Sequence, residues 1–169
     1  LSECDAAVEA LQAHKNAWVA LDIPERIAIL KSLVTGLSAV AEDWISAACK
    51  AKGVPRGSGG EGEEWLGGPF TAMRNIRLLI EALQEISSHG RPVPPGPVRT
   101  RDNGQLAVQV FPSEVWDKLF YKGFSAEIWL QEGPTADTLA DFQATIYREK
   151  RGGAAPEAKV ALVLGAGNV

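Results

Sequence analysis

Four prolines within six residues divide this chain into two parts that cannot share one regular element. They stand at positions 92, 94, 95 and 97, where a missing N–H and a fixed φ exclude both a helix interior and a central strand. Before them, apolar residues recur at three- and four-residue intervals, which predicts helices. After them, apolar and polar residues alternate in short runs, which is typical of strands. The sequence therefore predicts a helical first half, an extended connector and a mixed second half.

The first half is predicted to contain a series of amphipathic helices. The first carries an apolar stripe of Val8, Leu11 and Trp18, which we expect to be buried. A second begins at Asp22-Ile23-Pro24-Glu25, where an aspartate N-cap is followed by a first-turn proline and a capping-box glutamate. A third is predicted from about residue 41 to Gly53, whose position after two lysines marks a C-cap. The longest covers residues 69–86, which hold a continuous apolar stripe with Arg74 on the opposite face.

The second half is predicted to mix strands and short helices. Asn103-Gly104 separates two strand-like runs, which predicts a β-hairpin over 98–111 with one face buried through Leu106, Val108 and Val110. A short helix is expected at 115–121, a strand at 124–130 and a longer helix at 134–151. The run 159–164 is continuously apolar, as in a strand of a parallel sheet that is covered on both faces.

Composition excludes several classes of protein. The 169 residues include 17 basic and 21 acidic ones, a net charge of −4, and nucleic-acid binders normally present a basic face instead. Only Cys4 and Cys49 are present, so a disulfide framework and a four-cysteine metal site are excluded. His14 and His89 lie far apart, and we expect surface or structural roles for both and no metal site. No apolar run reaches membrane-spanning length, so we expect a cytoplasmic protein without a membrane contact.

The apolar run near residue 160 leads into Gly165-Ala166-Gly167-Asn168. A strand followed by Gly-x-Gly is how a phosphate-binding turn begins, since glycine lets the backbone approach a pyrophosphate closely. A buried strand followed by an ordinary glycine turn explains the same residues. A standard dinucleotide fingerprint is a further alternative, and it requires a third glycine downstream.

Several segments together resemble the N-terminal region of the aldehyde dehydrogenase superfamily. The resemblance begins with Ala17-Trp18, Leu21 and Glu25-Arg26, where an Ala/Trp pair ends one helix and a Glu-Arg pair opens the next. Gly53-Val54-Pro55 falls at the family's Gly-Lys-Pro turn, with valine in place of the lysine. The long helix, the proline-rich connector and the hairpin follow in family order. Residues 160–168 resemble the first strand and turn of the NAD(P)-binding domain, and the Gly-Asn ending is closest to that of acyl-CoA reductases.

The resemblance implies roles for five residues at the end of the chain. Asn168 corresponds to the asparagine whose amide stabilises the oxyanion during catalysis. Four further residues correspond to backbone that lines the nicotinamide-ribose side of an NAD or NADP cofactor, namely Leu164, Gly165, Ala166 and Gly167. The family's nucleophilic cysteine and general-base glutamate lie further along than residue 169. The resemblance also implies an aldehyde or acyl substrate, and a homo-oligomer formed through the 98–111 hairpin.

The expected fold class is thus an α/β family fold in the form of a truncated N-terminal fragment. It would comprise a helical part of the cofactor-binding domain (1–90), the connector and hairpin (91–111), an α/β insertion (112–158) and the first strand of a Rossmann-like sheet (159–169). The fragment alone is expected to be inactive. The alternative is a non-catalytic helical interaction module, in which the hairpin and the aromatic insert form a partner surface.

Overall fold

A computed structural model describes residues 2–149 and 157–163 of the chain. The part before the prolines forms four helices, α1 (Ser2–Ala20), α2 (Ile23–Lys52), α3 (Gly59–Trp65) and α4 (Thr71–His89), with a π-helical turn at Leu66–Phe70. The described residues after the prolines form three strands, β1 (Val98–Thr100), β2 (Leu106–Phe111) and β3 (Ala126–Trp129). Three short helices accompany the strands, α5 (Val115–Phe120), α6 (Leu139–Phe142) and α7 (Thr145–Glu149). The protein is mostly helical with one small antiparallel sheet.

Helix α2 begins and ends where the sequence predicts. The Asp22 carboxylate accepts from the Glu25 N–H at 2.9 Å, and the Glu25 carboxylate accepts from the Asp22 N–H at 2.8 Å. Gly53 closes the helix in the left-handed conformation at φ 69°. The prediction of two helices over this range is wrong, because α2 is continuous for 30 residues. Neither proline nor a left-handed residue interrupts it, and the Ser38 hydroxyl bonds back to the Val34 carbonyl instead of capping a new helix.

Helix α1 does not bury its apolar stripe. Val8, Leu11 and Trp18 are all exposed, contrary to the sequence expectation. The helical core forms instead where the C-terminal third of α2 packs on α4, and Ile45, Cys49 and Ile86 are buried there. Residue spacing therefore identifies the apolar face of α1 correctly, but no described element covers that face.

The sheet has the order β1–β2–β3, with both pairs antiparallel. The hairpin prediction is confirmed, and its turn contains Gly104 at φ 83°. The strand predicted at 124–130 is also confirmed as β3, which joins the hairpin on the other side of β2. The central strand is covered on both faces at Leu106, Ala107 and Val108, so the expected burial of one face alone is wrong for these residues.

Two predicted elements in the second half do not form as expected. Of the helix predicted over 134–151, the described residues 134–149 form α6 and α7 instead, because the Thr135 and Thr138 hydroxyls each accept from the other residue's N–H and Ala144 adopts φ 52°. Residues 150 and 151 lie outside the described residues. Residues 157–163 form no strand, and Leu162 and Val163 are 83% and 87% exposed. A parallel strand needs a neighbour, and none lies beside this segment in the described part of the chain.

Candidate functional site

The five residues with expected catalytic or cofactor roles lie outside the described residues. They are Leu164, Gly165, Ala166, Gly167 and Asn168. The segment that leads to them is described as far as Val163, with Ala158 buried and Val160 half-buried. The roles of these five residues therefore remain predictions from the sequence.

The residues that carry the N-terminal resemblance meet at one corner between α1 and α2. The Arg26 guanidinium donates to the Trp18 carbonyl at 2.8 Å and to the Leu21 carbonyl at 3.3 Å. Its carbon atom Cζ also lies 4.9 Å from the centroid of the Trp18 ring. The adjacent Glu25 completes the capping box with Asp22. Arg26 thus bonds to two carbonyls at and just after the end of α1, and it fixes the chain where it changes direction.

A groove of about 550 Å³ lies on the apolar face of the sheet. Pro92, Val93, Pro94 and Pro95 form one wall, while Val108 and Ile128 of the sheet form the floor. The opposite wall comes from the segment 130–143, which includes the buried Leu139 and the exposed Phe142. Glu132 is the one titratable residue of this lining. The described residues of the lining are mostly apolar, so the groove can accommodate apolar groups.

A buried carboxylate connects α5 to α4. Asp117 is only 5% exposed, and its Oδ2 atom accepts from Arg74 Nη2 at 2.8 Å. The same oxygen accepts from the Ser113 N–H at 2.9 Å and from the Ser113 hydroxyl at 2.8 Å. The Glu114 N–H also donates to Oδ2, and Arg74 Nε donates to the other oxygen, Oδ1, at 3.3 Å each. All of these donors converge on one carboxylate, so it is held in its ionised form.

The balance of these effects lowers the pKa of Asp117. Burial acts to raise that pKa, but the hydrogen bonds from Arg74, Ser113 and Glu114 outweigh it and lower the pKa from 3.8 to about 2. Sequence reasoning missed this cluster, since it placed Arg74 on the solvated face of α4. The available signal was the composition of α5, in which one carboxylate stands among apolar residues.

The other face of the sheet carries long polar side chains. Arg99 and Glu127 form a two-point ion pair at 2.8 and 2.6 Å, which holds the pKa of Glu127 below its usual range. Arg101 stacks over the Trp129 ring, with Cζ 3.6 Å from the centroid. These contacts give the two arginines of the hairpin partners on the same face of the sheet.

Within residues 2–149 and 157–163, the structure places the cysteine and histidine candidates on helices α1, α2 and α4. Cys49 is buried in the helical core, as the sequence predicts for a packed thiol, and Cys4 is exposed on α1. His14 is exposed and bonds to the Ala10 carbonyl at 2.8 Å within its own helix. Within these residues no group of three histidine, cysteine or acidic side chains is placed to hold a metal ion. None of the helices described there is long and apolar enough to cross a membrane.

Comparison with known proteins gives no family for the chain. No protein-family model, no curated protein sequence and no solved structure matches it. The resemblance to aldehyde dehydrogenases therefore rests on the order and spacing of the residues quoted above.

Proposed function

We propose that this chain is the N-terminal part of an NAD(P)-dependent aldehyde dehydrogenase or acyl-CoA reductase. In the intact enzyme a cysteine thiolate would attack the carbonyl carbon of an aldehyde or acyl thioester. The nicotinamide would accept or supply the hydride. Both the nucleophile and the general base would come from sequence beyond residue 169, so this chain alone would be inactive.

The observation that carries the proposal is the corner between α1 and α2. The resemblance includes Trp18, Leu21, Glu25 and Arg26, and each takes part in a contact there, Leu21 through its backbone carbonyl. A chance match to the pattern does not require its residues to meet. The contacts of Arg26 with the Trp18 carbonyl and ring support the view that the pattern reflects a local structure of the resembled family.

Uncovered apolar surface gives independent support. The stripe of α1 is exposed, and so are Leu162 and Val163 in the segment that precedes the expected cofactor turn. Such surfaces are costly to leave in water, at about 25 cal/mol per Å². A larger enzyme would cover both, because α1 and the 159–164 run would then pack on further elements.

The expected site chemistry suits the residues at the end of the chain. An asparagine amide at Asn168 can donate an N–H to an oxyanion, and a preorganised donor of this kind contributes a factor of about 10²–10³ to kcat. Gly165 and Gly167 carry no Cβ, so backbone there can approach a cofactor closely. These residues would bind and orient, and they would not form or break a covalent bond themselves.

The proposal is tested by extending the chain. The gene sequence downstream of Val169 should encode a glutamate-containing motif followed by a cysteine in a glycine-rich turn. The extended protein should reduce NAD or NADP in the presence of an aldehyde, or oxidise NADH or NADPH with an acyl-CoA. Asn168→Ala should lower kcat by about 10²–10³. Asn75→Ala, at an exposed position on α4, is the matched control and should leave kcat unchanged. Cofactor-linked turnover by the 169-residue chain alone would contradict the proposal.

A second candidate function is a non-catalytic interaction module, which the exposed aromatic residues of α5 favour. Trp116 and Phe120 stack on each other and remain largely in solvent. Titration with NADH or NADPH and size-exclusion chromatography of the extended protein separate the two functions. Nucleotide binding supports the enzyme, and a stable complex with a partner protein in the absence of nucleotide binding supports the module.

A further inference from the structure

A cavity of about 420 Å³ lies between α4 and α5. Its first wall comes from four residues that share one face at the start of α4, namely Phe70, Met73, Arg74 and Arg77. Its second wall comes from α5 and its N-cap, namely Glu114, Trp116, Asp117 and Phe120. Sites for small molecules occupy about 300–1,000 Å³. The cavity therefore has room for one small molecule.

The buried ion pair joins the two walls of this cavity. Arg74 belongs to one wall and Asp117 to the other, and the guanidinium donates to the carboxylate at 2.8 Å. Arg74 also donates to the Ser113 hydroxyl at 3.2 Å, which adds a second link between α4 and the start of α5. The charges of Arg74 and Asp117 thus neutralise each other. Because the walls are already fixed, a ligand loses less free energy to their ordering when it binds.

Two other charged residues line the cavity, and neither has an ion-pair partner among the described residues. Arg77 is exposed on α4, and its guanidinium contacts no polar group in the described part of the chain. Glu114 is half-buried at the N-cap of α5, and no described cation lies within ion-pair distance of its carboxylate. The cavity therefore presents one unmatched cation and one unmatched carboxylate.

The rest of the lining is mostly aromatic. Trp116 and Phe120 stack on each other, with ring centroids 6.0 Å apart and ring planes inclined by 19°. Their side chains are 62% and 68% exposed, so a ligand can reach them. Phe70 and Met73 lie on the opposite wall. Aromatic rings bind a further ring by offset or edge-to-face contact, and a methionine sulfur also contacts rings favourably. An aromatic group of a ligand therefore fits between these walls.

We propose that this cavity binds a free α-amino acid with an aromatic side chain. The carboxylate of the ligand pairs with Arg77, whose planar guanidinium can donate two parallel hydrogen bonds to it. The ammonium group pairs with Glu114, and the ring stacks on Trp116 and Phe120. An aromatic acid without the ammonium would bring a second anion beside Glu114. An aromatic amine would leave Arg77 unmatched, and a residue within a peptide carries neither charge.

The test is a titration of the 169-residue chain with L-phenylalanine, in which NMR follows the backbone amide and tryptophan indole signals. Saturable shifts should appear in α5 and in the first two turns of α4, with a Kd of about 1 mM or tighter. Three probes each lack one recognised group: 3-phenylpropionate lacks the ammonium, phenethylamine lacks the carboxylate, and L-alanine lacks the ring. Each should bind about 10-fold more weakly, as expected for the loss of one charge-assisted hydrogen bond or one ring contact.

Two pairs of variants locate the site. Arg77→Gln should raise the Kd for L-phenylalanine about 10-fold, whereas Lys118→Gln, which removes an exposed cation outside the lining, should leave it unchanged. Phe120→Ala should also raise the Kd about 10-fold. Its matched control is Phe124→Ala, because Phe124 is equally exposed (71%, against 68% for Phe120) but does not line the cavity. That control should bind like the unaltered chain.

Several outcomes overturn the proposal. One is the absence of saturable shifts up to about 10 mM L-phenylalanine. Equal binding of 3-phenylpropionate assigns the cavity to aromatic anions instead, and equal binding of phenethylamine assigns it to aromatic amines. Equal losses in the variants and their controls place the binding elsewhere on the chain. Binding is measured without turnover on a chain that the proposed function expects to be inactive, so a failed titration leaves that function standing.

Discussion

Replacement of Asp117 by asparagine tests the link between α4 and α5 most directly. The hydrogen bonds at this carboxylate hold its pKa at about 2 instead of 3.8, and this difference is worth roughly 2 kcal/mol of stability at neutral pH. The asparagine amide also places an NH₂ group where a carboxylate oxygen accepted hydrogen bonds. At least one of the donors from Arg74, Ser113 and Glu114 is then left without an acceptor. Because Arg74 is partly exposed, water can solvate it after the change. We therefore expect Asp117→Asn to lower the free energy of unfolding by about 2–3 kcal/mol at pH 7, at the low end for a broken buried pair.

The pH dependence identifies the cause of that loss. A carboxyl whose pKa is depressed on folding contributes stability that is fully present above its unfolded pKa and is lost as pH falls through its folded pKa. For Asp117 this loss extends from about pH 4 to about pH 2. The unaltered chain should weaken over this range more than the asparagine variant does. The difference in unfolding free energy between the two should accordingly shrink toward acid pH.

This difference in unfolding free energy is measured by urea denaturation at several pH values between 7 and about 2.5, with circular dichroism as the signal. Asp102→Asn serves as the control, since Asp102 is an exposed carboxyl in the hairpin turn and its replacement should change stability by less than about 0.5 kcal/mol. A difference between the unaltered chain and Asp117→Asn that stays constant from pH 7 to pH 2.5 would refute the reasoning. So would a difference at pH 7 no larger than that of the control.

Three further changes test how the backbone elements end and pair. Gly53→Ala should destabilise the chain by about 1 kcal/mol in urea denaturation, because φ at this position is 69°. The control, Gly62→Ala inside α3, should be neutral or stabilising. Equal effects of the two substitutions would contradict the capping role of Gly53. Asp22→Ala should cost about 1 kcal/mol through loss of the N-cap, seen as a lower Tm by circular dichroism, and an unchanged Tm would argue against it. Gly96→Ala should shift the connector away from β2, because its Cβ would lie 2.9 Å from the Gln109 carbonyl oxygen; amide chemical-shift changes that fail to appear along β2 would show that the approach is not close.

Sequence reasoning succeeded where one local signal decides the structure. The capping box at Asp22 and the Asn103-Gly104 turn each specify a helix start or a hairpin by hydrogen bonds within a few residues. It failed where competing local hydrogen bonds or the packing of distant residues decide. The run 134–151 has helical spacing, yet threonine hydroxyls and the backbone of Ala144 interrupt it. Local spacing does not report whether such alternatives are available to the backbone.

The site shows the same division. The roles expected for Leu164, Gly165, Ala166, Gly167 and Asn168 come from a short pattern and from the family that it resembles. The cluster around Asp117 was not predictable, because Arg74 is 43 residues away and only the packing of α5 on α4 brings them together. Binary patterning also assumes that apolar residues point inward, and α5 reverses that assumption.

The uneven burial along α2 has a consequence for how this helix opens. At about 1.5 Å per residue its 30 residues extend roughly 45 Å, and its two buried residues, Ile45 and Cys49, both lie near the C-terminal end. The N-terminal half contains the exposed Leu33 and also Gly36, where an added Cβ would meet nothing within 4 Å. Amide hydrogen exchange should therefore reveal two levels of protection within a single helix, with opening of the N-terminal half costing far less than global unfolding. The helix would thus be geometrically continuous, yet its two halves would unfold as separate cooperative units.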